Sequence, residues 1–406
     1  MSTLQNASRI RRLLLMNASS MIIFNYIGIF VNLYIWEKEK SIFDVTWFNL
    51  VMFVSWIVAF AIGARILTRY SNRLLIRITA ISGGLTFLLL SFLELDNKLL
   101  WISIIAIPVG IMWGLYASTQ NITLSLYGKG RDFESYFSYS SLIGQAISIA
   151  NPIVFALVIQ WLGYNGSFLL MFLFVATLLT VSFFIPTLTL SEERTPLFEN
   201  IRFSTVFNTS ALRWMVPSCI TAGLFIQFQG LFALIFTFSV SSDKLVIAMY
   251  NMLYALSSIA AMTMYRRLKV GNGKWLTIGV LLVSVGFLCP VWPVAPLLVI
   301  SNILTTMGMF YYGTVWNMRQ FRIISSRTPI EQARIFIWRE WILNLSRIAM
   351  LVFTLFVRDL HGTSFFVLIG LAVVSALLVP YFSHKSEVVD GRATAENEVA
   401  AKGGAL

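Results

Sequence analysis

Residues Ile335–Phe356 read IFIWREWILNLSRIAMLVFTLF. The stretch is long and apolar enough to span a bilayer, yet it carries Arg339, Glu340, Asn344 and Arg347. Steps of four, three and seven residues put Glu340, Asn344 and Arg347 on one helical face, with Arg339 at its flank. A charge in hydrocarbon costs about 2.5–3.5 kcal/mol even on the lenient insertion scale. Such residues persist where they face a bundle interior or a wet cavity, so the stretch marks where a functional site lies.

The rest of the chain agrees with a membrane setting. Of its 406 residues 58% are hydrophobic and only 12% charged, and the mean hydropathy is +0.78. A soluble domain carries about 25% charged residues, so the reading is an all-α polytopic membrane protein. Apolar segments of crossing length number twelve. They form an N-terminal six-helix half over 16–185 and a C-terminal half over 214–382. Residues 1–15 and the loop 186–213 are expected in the cytoplasm, and 383–406 form a polar tail expected to be disordered there. The ninth span, Trp275–Cys289, is the shortest. Arg9, Arg11 and Arg12 precede the first apolar run, which is read as a retained span. Cys219 and Cys289 lie within or at the end of apolar runs and read as inert thiols.

The net charge of +12 does not call for nucleic acid, because the cations fall on one side. With both termini inside, 23 of the 30 Lys and Arg are cytoplasmic, including Lys129, Arg131, Arg194, Lys269, Lys274, Arg319 and Lys385. Lys38, Lys40, Lys98, Lys244 and Arg358 are outside. This is the positive-inside pattern of a multi-pass protein of the cytoplasmic (inner) membrane.

Polar side chains inside the spans follow a period of three. Asn25 and Asn32 fall in the first, Asn49 in the second, Gln120 and Asn121 in the fourth, and Gln145, Asn151 and Gln160 in the fifth. Gln227 and Gln229 fall in the seventh, Asn251 in the eighth, and Asn302 and Asn317 in the tenth. Spans three, six, nine and twelve have none in their cores, so they read as peripheral and the other eight as facing something polar. Many amides can equally bond to neighbouring helices. The basic hinge Arg65–Arg77 recurs as Arg266–Lys274, and GLYASTQN (114–121) aligns weakly with FYYGTVWN (310–317). Repeated halves with a site at their interface are a common plan for secondary transporters.

From Met16 to Phe382 the chain resembles the major facilitator superfamily, and within it the uncharacterised bacterial branch. The family's loop between its second and third helices is approximated by ARILTRYSNR (64–73). Arg69 and Arg73 keep the basic positions and so match the gating loop, while Thr68 replaces the acid and Ser71 the glycine. GQAISIANPI (144–153) keeps Gly144 and Pro152 of the family's fifth-helix motif without its paired glycines. The resemblance implies two pseudo-symmetric halves working by alternating access, with helices three, six, nine and twelve outside.

Glu340 is the one carboxylate inside a span and reads either as a proton-coupling group or as an ion-pair partner of Arg339 or Arg347. Arg347, about 18 Å in from Ile335, suits a carboxylate or phosphate ligand or a tie between halves. Arg339 is expected to snorkel toward the cytoplasm. The expected cavity set is Arg347, Asn344, Asn25, Asn32, Gln120, Asn121, Gln145, Gln227, Asn251, Tyr254 and Asn317. Trp36, Trp47 and Trp101 are read as belt residues at the outer interface.

An enzyme reading finds no nucleophile elbow or phosphate loop, and no cofactor or metal is expected. A channel reading lacks a filter loop. The expected partners are a small-molecule substrate, anionic or zwitterionic slightly favoured, together with protons and membrane lipid, for a monomeric transporter. The alternatives are an exporter of drugs or amphiphiles, including a lipid flippase, and a non-transporting sensor or scaffold.

Overall fold

The computed structural model describes residues 3–93, 95–128, 131–190, 196–199, 201–268 and 270–403, with side chains from 11 to 389 apart from 131, 132 and 134. Of the cations assigned to the basic face, Lys129, Arg194 and Lys269 lie outside the described residues. In hydrocarbon every backbone N–H and C=O must be satisfied within the protein, and helices do this without partners. The order is α1 (Thr3–Tyr26), a π-turn (Ile27–Val31), α2 (Asn32–Glu39), α3 (Ile42–Arg69), α4 (Asn72–Phe92), α5 (Lys98–Tyr127) and α6 (Arg131–Phe184). A one-turn α7 (Phe203–Val206) precedes α8 (Ser210–Val240), α9 (Lys244–Arg267), α10 (Asn272–Leu288), α11 (Ala295–Ser325), α12 (Pro329–Thr354) and α13 (Thr363–Gly403). Side-chain caps start several of them: Ser41 accepts from the Asp44 amide, Asn97 from Leu100 and Asp243 from Leu245 and Val246. Thr328 and Glu331 form a reciprocal capping box at α12.

Ten helices among the described residues are long and apolar enough to cross a membrane. Two features separate these ten from the twelve spans expected. α6 has 54 residues, about 81 Å at 1.5 Å per residue, against about 30 Å of hydrocarbon. Its backbone leaves the helical region at Gly163 (φ 69, ψ −178), between the expected fifth and sixth spans. A positive φ there favours glycine. α12 carries Arg339, Glu340 and Arg347 through its middle and is not among the ten.

α3 packs on α5 and α10 on α11, while contacts of α3 with α12 and of α6 with α9 join the first half of the chain, through α6, to the second. Gly114 permits the α3–α5 approach, since a Cβ there would sit 2.6 Å from the Trp56 carbonyl oxygen. The covering residues on α4, α10 and α13 include exposed Ile81, Leu85, Leu281, Val285, Val367 and Val374, an apolar surface suited to lipid.

Two expectations are corrected. α13 continues to Gly403, past Phe382 where a disordered tail was expected. Its extension is held by polar contacts that hydropathy does not register: Arg319 donates to Ser383 at 3.3 Å and pairs with Glu387 at 2.9 Å, and Ser386 donates to the Ala211 carbonyl at 2.7 Å. Trp36 and Trp101 are buried at 7% and 4% exposure rather than lying in a lipid-facing belt. Trp101 donates to the Leu93 carbonyl at 2.8 Å and lies under Lys38.

Candidate functional site

Two cavities lie in the middle of the bundle, and Gly28 and Trp113 line both. The first, about 350 Å³, sits between the halves, with Asn32, Asn49, Phe53 and Trp56 from one and Gln227 and Arg347 from the other. The second, about 520 Å³, is lined by Asn17, Asn25, Gln120, Ser140 and Gln145 among others. Neither takes a lining residue from α4, α10, α13 or the part of α6 beyond Gly163. Gly28 falls in the π-turn, where the regular helical hydrogen-bond ladder is interrupted. The Asn32 amide there donates to the carbonyls of Gly28 at 3.0 Å and Ile27 at 3.3 Å, and Asn49 donates to Asn32 at 3.1 Å.

Between the cavities the aromatic rings form a ladder. Phe24 stacks on Trp113 at 3.8 Å between centroids, Trp113 on Trp56 at 5.2 Å, and Trp56 on Phe53 at 5.6 Å. The Arg347 guanidinium lies 5.2 Å from the Phe53 ring centroid and 5.7 Å from that of Trp56. Its hydrogen bond to Asn344 is long, 3.4 Å. Arg347 Nε, Asn344 Nδ2 and Trp56 Nε1 are buried with no hydrogen-bond partner among the described residues. Arg347 also has no carboxylate within ion-pair distance there.

Arg339 contrasts with it throughout. It is 4% exposed and does not snorkel, which corrects the sequence expectation. Its Nη1 pairs with Glu340 Oε1 at 2.7 Å, its Nε donates to Gln320 at 2.5 Å and its Nη2 to Asn317 at 3.1 Å. Trp316 packs 5.0 Å from the guanidinium. A charge so fully paired gains nothing by moving to water. Asn121, from the other half, donates to Glu340 at 3.2 Å. Half-buried Asn121 and Asn317 therefore contact the Arg339–Glu340 pair, Asn344 sits against Arg347 instead, and none of the three lines either cavity.

The remaining expected residues divide. Asn25 accepts from Asn151 at 3.0 Å on the wall of the larger cavity. Gln120 there donates to Asn17 at 3.2 Å and to Tyr136 at 2.9 Å. Among the described residues Asn251 bonds to its own helix, through the Ile247 carbonyl at 2.9 Å, and Tyr254 sits 3.5 Å from Thr237; neither lines the two cavities. Around the α3–α4 turn, Arg69 at the end of α3 is exposed while Arg73 at the start of α4 donates to the Ile185 carbonyl at 2.8 Å. Thr68 bonds within its own turn, and Asn72, buried, clasps the backbone of Pro186 and Leu188.

Sequence reasoning missed Asn17, Phe24, Phe53 and Trp56. Asn17 is 2% exposed, donates to Ser140 at 2.6 Å and accepts from Tyr116 at 2.7 Å. The signal was present: Asn17, Asn25 and Asn32 are spaced by eight and seven residues, and Asn49 and Trp56 by seven, each keeping one helical face.

The ends of the bundle also meet across the halves. At one end Lys244 approaches Glu37 at 3.4 Å and Trp36 packs against Phe238. At the basic end Phe321 packs against Phe133 and Phe137, and Arg266 donates to Ser138 at 2.6 Å.

No family model and no curated protein matches the sequence. Solved structures do match its fold. The human organic anion transporter MFSD10 superposes with a TM-score of 0.68 at 15% identity, over 93% of this chain and 100% of that one. A POT family transporter in complex with 5-aminolevulinic acid gives 0.68 at 13% identity, over 93% and 96%. A bacterial homologue of the iron transporter ferroportin, outward-facing, gives 0.65 at 12% identity, over 94% and 99%.

Proposed function

We propose that this chain, a multi-pass membrane protein with the fold of the major facilitator transporters, is a secondary transporter of a small organic anion or zwitterion. The observation that carries the reading is Arg347. It lies in the cavity between the halves, stacked on aromatic rings, with no carboxylate partner among the described residues. Removing one partner from a buried ion pair costs about 3–5 kcal/mol, so a lone guanidinium in such a setting gains by meeting an anion. A carboxylate can accept two parallel N–H bonds from it, and the orphaned Asn344 and Trp56 donors lie beside it. Arg339 and Glu340 neutralise each other, leaving the site a formal +1.

In this reading the chain crosses twelve times, with α6 divided at Gly163 and α12 counted despite its charges, and both termini in the cytoplasm of an inner membrane. The two halves rock about the central site. The Glu37–Lys244 contact closes one end and the Phe321 aromatic contacts the other, with Arg69 and Arg73 on a gating loop. Glu340, at the junction of the halves, is the group placed to couple a proton. A second reading, export of amphiphiles including lipid flipping, draws on the aromatic ladder from Phe24 to Phe53.

Counterflow in proteoliposomes loaded with small carboxylates tests the proposal. Exchange by the wild-type protein and none by Arg347→Ala is the expected result. Flux of lipid alone favours the second reading, and absence of any flux or binding favours a scaffold.

A further inference from the structure

At the basic end, where α10 begins, α11 ends and α13 passes Pro380, a cavity of about 650 Å³ opens away from the central site. Its lining combines the cations Lys274 and Arg319 and the imidazole of His384 with the apolar Leu276, Pro380 and Tyr381. Arg319 is 6% exposed, and although Ser383 and Glu387 occupy its Nη atoms, its Nε is buried with no partner among the described residues. Lys274 has no carboxylate within ion-pair distance among the described residues. Among the described residues, Glu387 pairs with Arg319 and no acid pairs with Lys274.

The rim of this cavity leads straight onto lipid-facing surface. α10 exposes Ile278, Leu281, Val285 and Leu288 at steps of three, four and three, one continuous apolar stripe. α13, packed against α10, exposes Tyr381, Leu377 and Val374 beside it. A soluble anion has no use for such a stripe, whereas a lipid needs a cationic headgroup site with an apolar track beginning at its edge. Basic pockets between helices at the membrane surface recognise anionic headgroups in this way. We propose that the cavity binds the headgroup of an anionic phospholipid whose acyl chains lie along α10 and α13. Because the headgroup also touches the residues that hold the α13 extension, its binding fixes that extension against α11.

Native mass spectrometry of the delipidated full-length protein tests this, with phosphatidylglycerol, phosphatidylcholine and inorganic phosphate as separate probes. The wild-type protein should carry a discrete phosphatidylglycerol adduct that phosphatidylcholine does not form and millimolar phosphate does not displace. Lys274→Glu should lower its occupancy about fivefold or more, and Thr277→Trp, which fills the cavity without changing charge, should do the same. Arg65→Glu, on the other half, should leave it unchanged. Equal adducts in wild type, Lys274→Glu and Thr277→Trp, or equal binding of phosphatidylcholine, overturn the proposal. Displacement by phosphate overturns the lipid as occupant and identifies a free-anion site.

Discussion

Asn121 on α5 donates to Glu340 on α12 at 3.2 Å, a hydrogen bond that ties the buried Arg339–Glu340 pair of one half to the other half. Whatever moves the halves apart at this level has to break it. The pair is thus a structural element at the junction, and it is there that the proposed proton coupling would act.

Breaking the pair from one side leaves a buried charge alone. Glu340→Gln and Arg339→Gln should each destabilise the protein by about 3–5 kcal/mol, read as a lowered melting temperature in detergent. The double variant should recover most of the loss, because no uncompensated charge remains. Additive losses in the double variant would show that the two side chains act independently.

Proton coupling through Glu340 has a separate readout. In proteoliposomes Glu340→Gln should retain counterflow exchange while losing its acceleration by an inward proton gradient. A gradient response equal to wild type removes Glu340 from the coupling step. Comparing the two assays on the same preparation separates this effect from lost stability.

The contact between Lys244 and Glu37 predicts an accessibility change. With Cys219→Ala and Cys289→Ser as background, a cysteine introduced as Gln227→Cys in the central cavity should label slowly from the Glu37 end. Adding Lys244→Glu places like charges together at that end, and labelling should accelerate several-fold. An unchanged rate means that this contact does not close the end.

Close approach of α3 and α5 makes Gly114 intolerant of a side chain, since a Cβ there would lie 2.6 Å from the Trp56 carbonyl oxygen and 2.8 Å from Ala59 Cβ. Gly114→Val should cost about 1–3 kcal/mol or more through overpacking and displace Trp56 from Trp113. Gly313→Ala, with nothing within 4 Å of the added Cβ, should be neutral or mildly stabilising by helix propensity. Melting temperatures of the two variants check the contrast.

How legible all this was in the sequence depended on the kind of interaction. Length and apolarity along one helix are local properties, so an all-helical membrane protein with many apolar helices could be read from the residues. Gly163 breaks the helical geometry of α6 at the point between the expected fifth and sixth spans, although the helix there is nearly continuous. Which arginine is paired is a tertiary property. Arg339 and Arg347 look alike on one helix, and only the arrival of Gln320 and Asn317 from α11 shows that the first is satisfied. The docked α13 extension was missed for the same reason, since Ser383, Ser386 and Glu387 read as polar tail until Arg319 and the Ala211 carbonyl meet them. Trp56 was overlooked because an indole in an apolar run gives no contrast. Its spacing from Asn49 was the available clue.

The central claim is that Arg347 is an anion site. Ligand-induced thermal stabilisation of the purified protein, screened over small organic anions, sugars, drugs and lipids, tests it most directly when wild type is compared with Arg347→Ala. The account predicts stabilisation of the wild-type protein by one or more organic anions, lost in Arg347→Ala and partly kept in Arg347→Lys, with unliganded melting temperatures similar among the three. Equal stabilisation of Arg347→Ala by the same anion, or stabilisation of the wild-type protein by neutral ligands only, would contradict it.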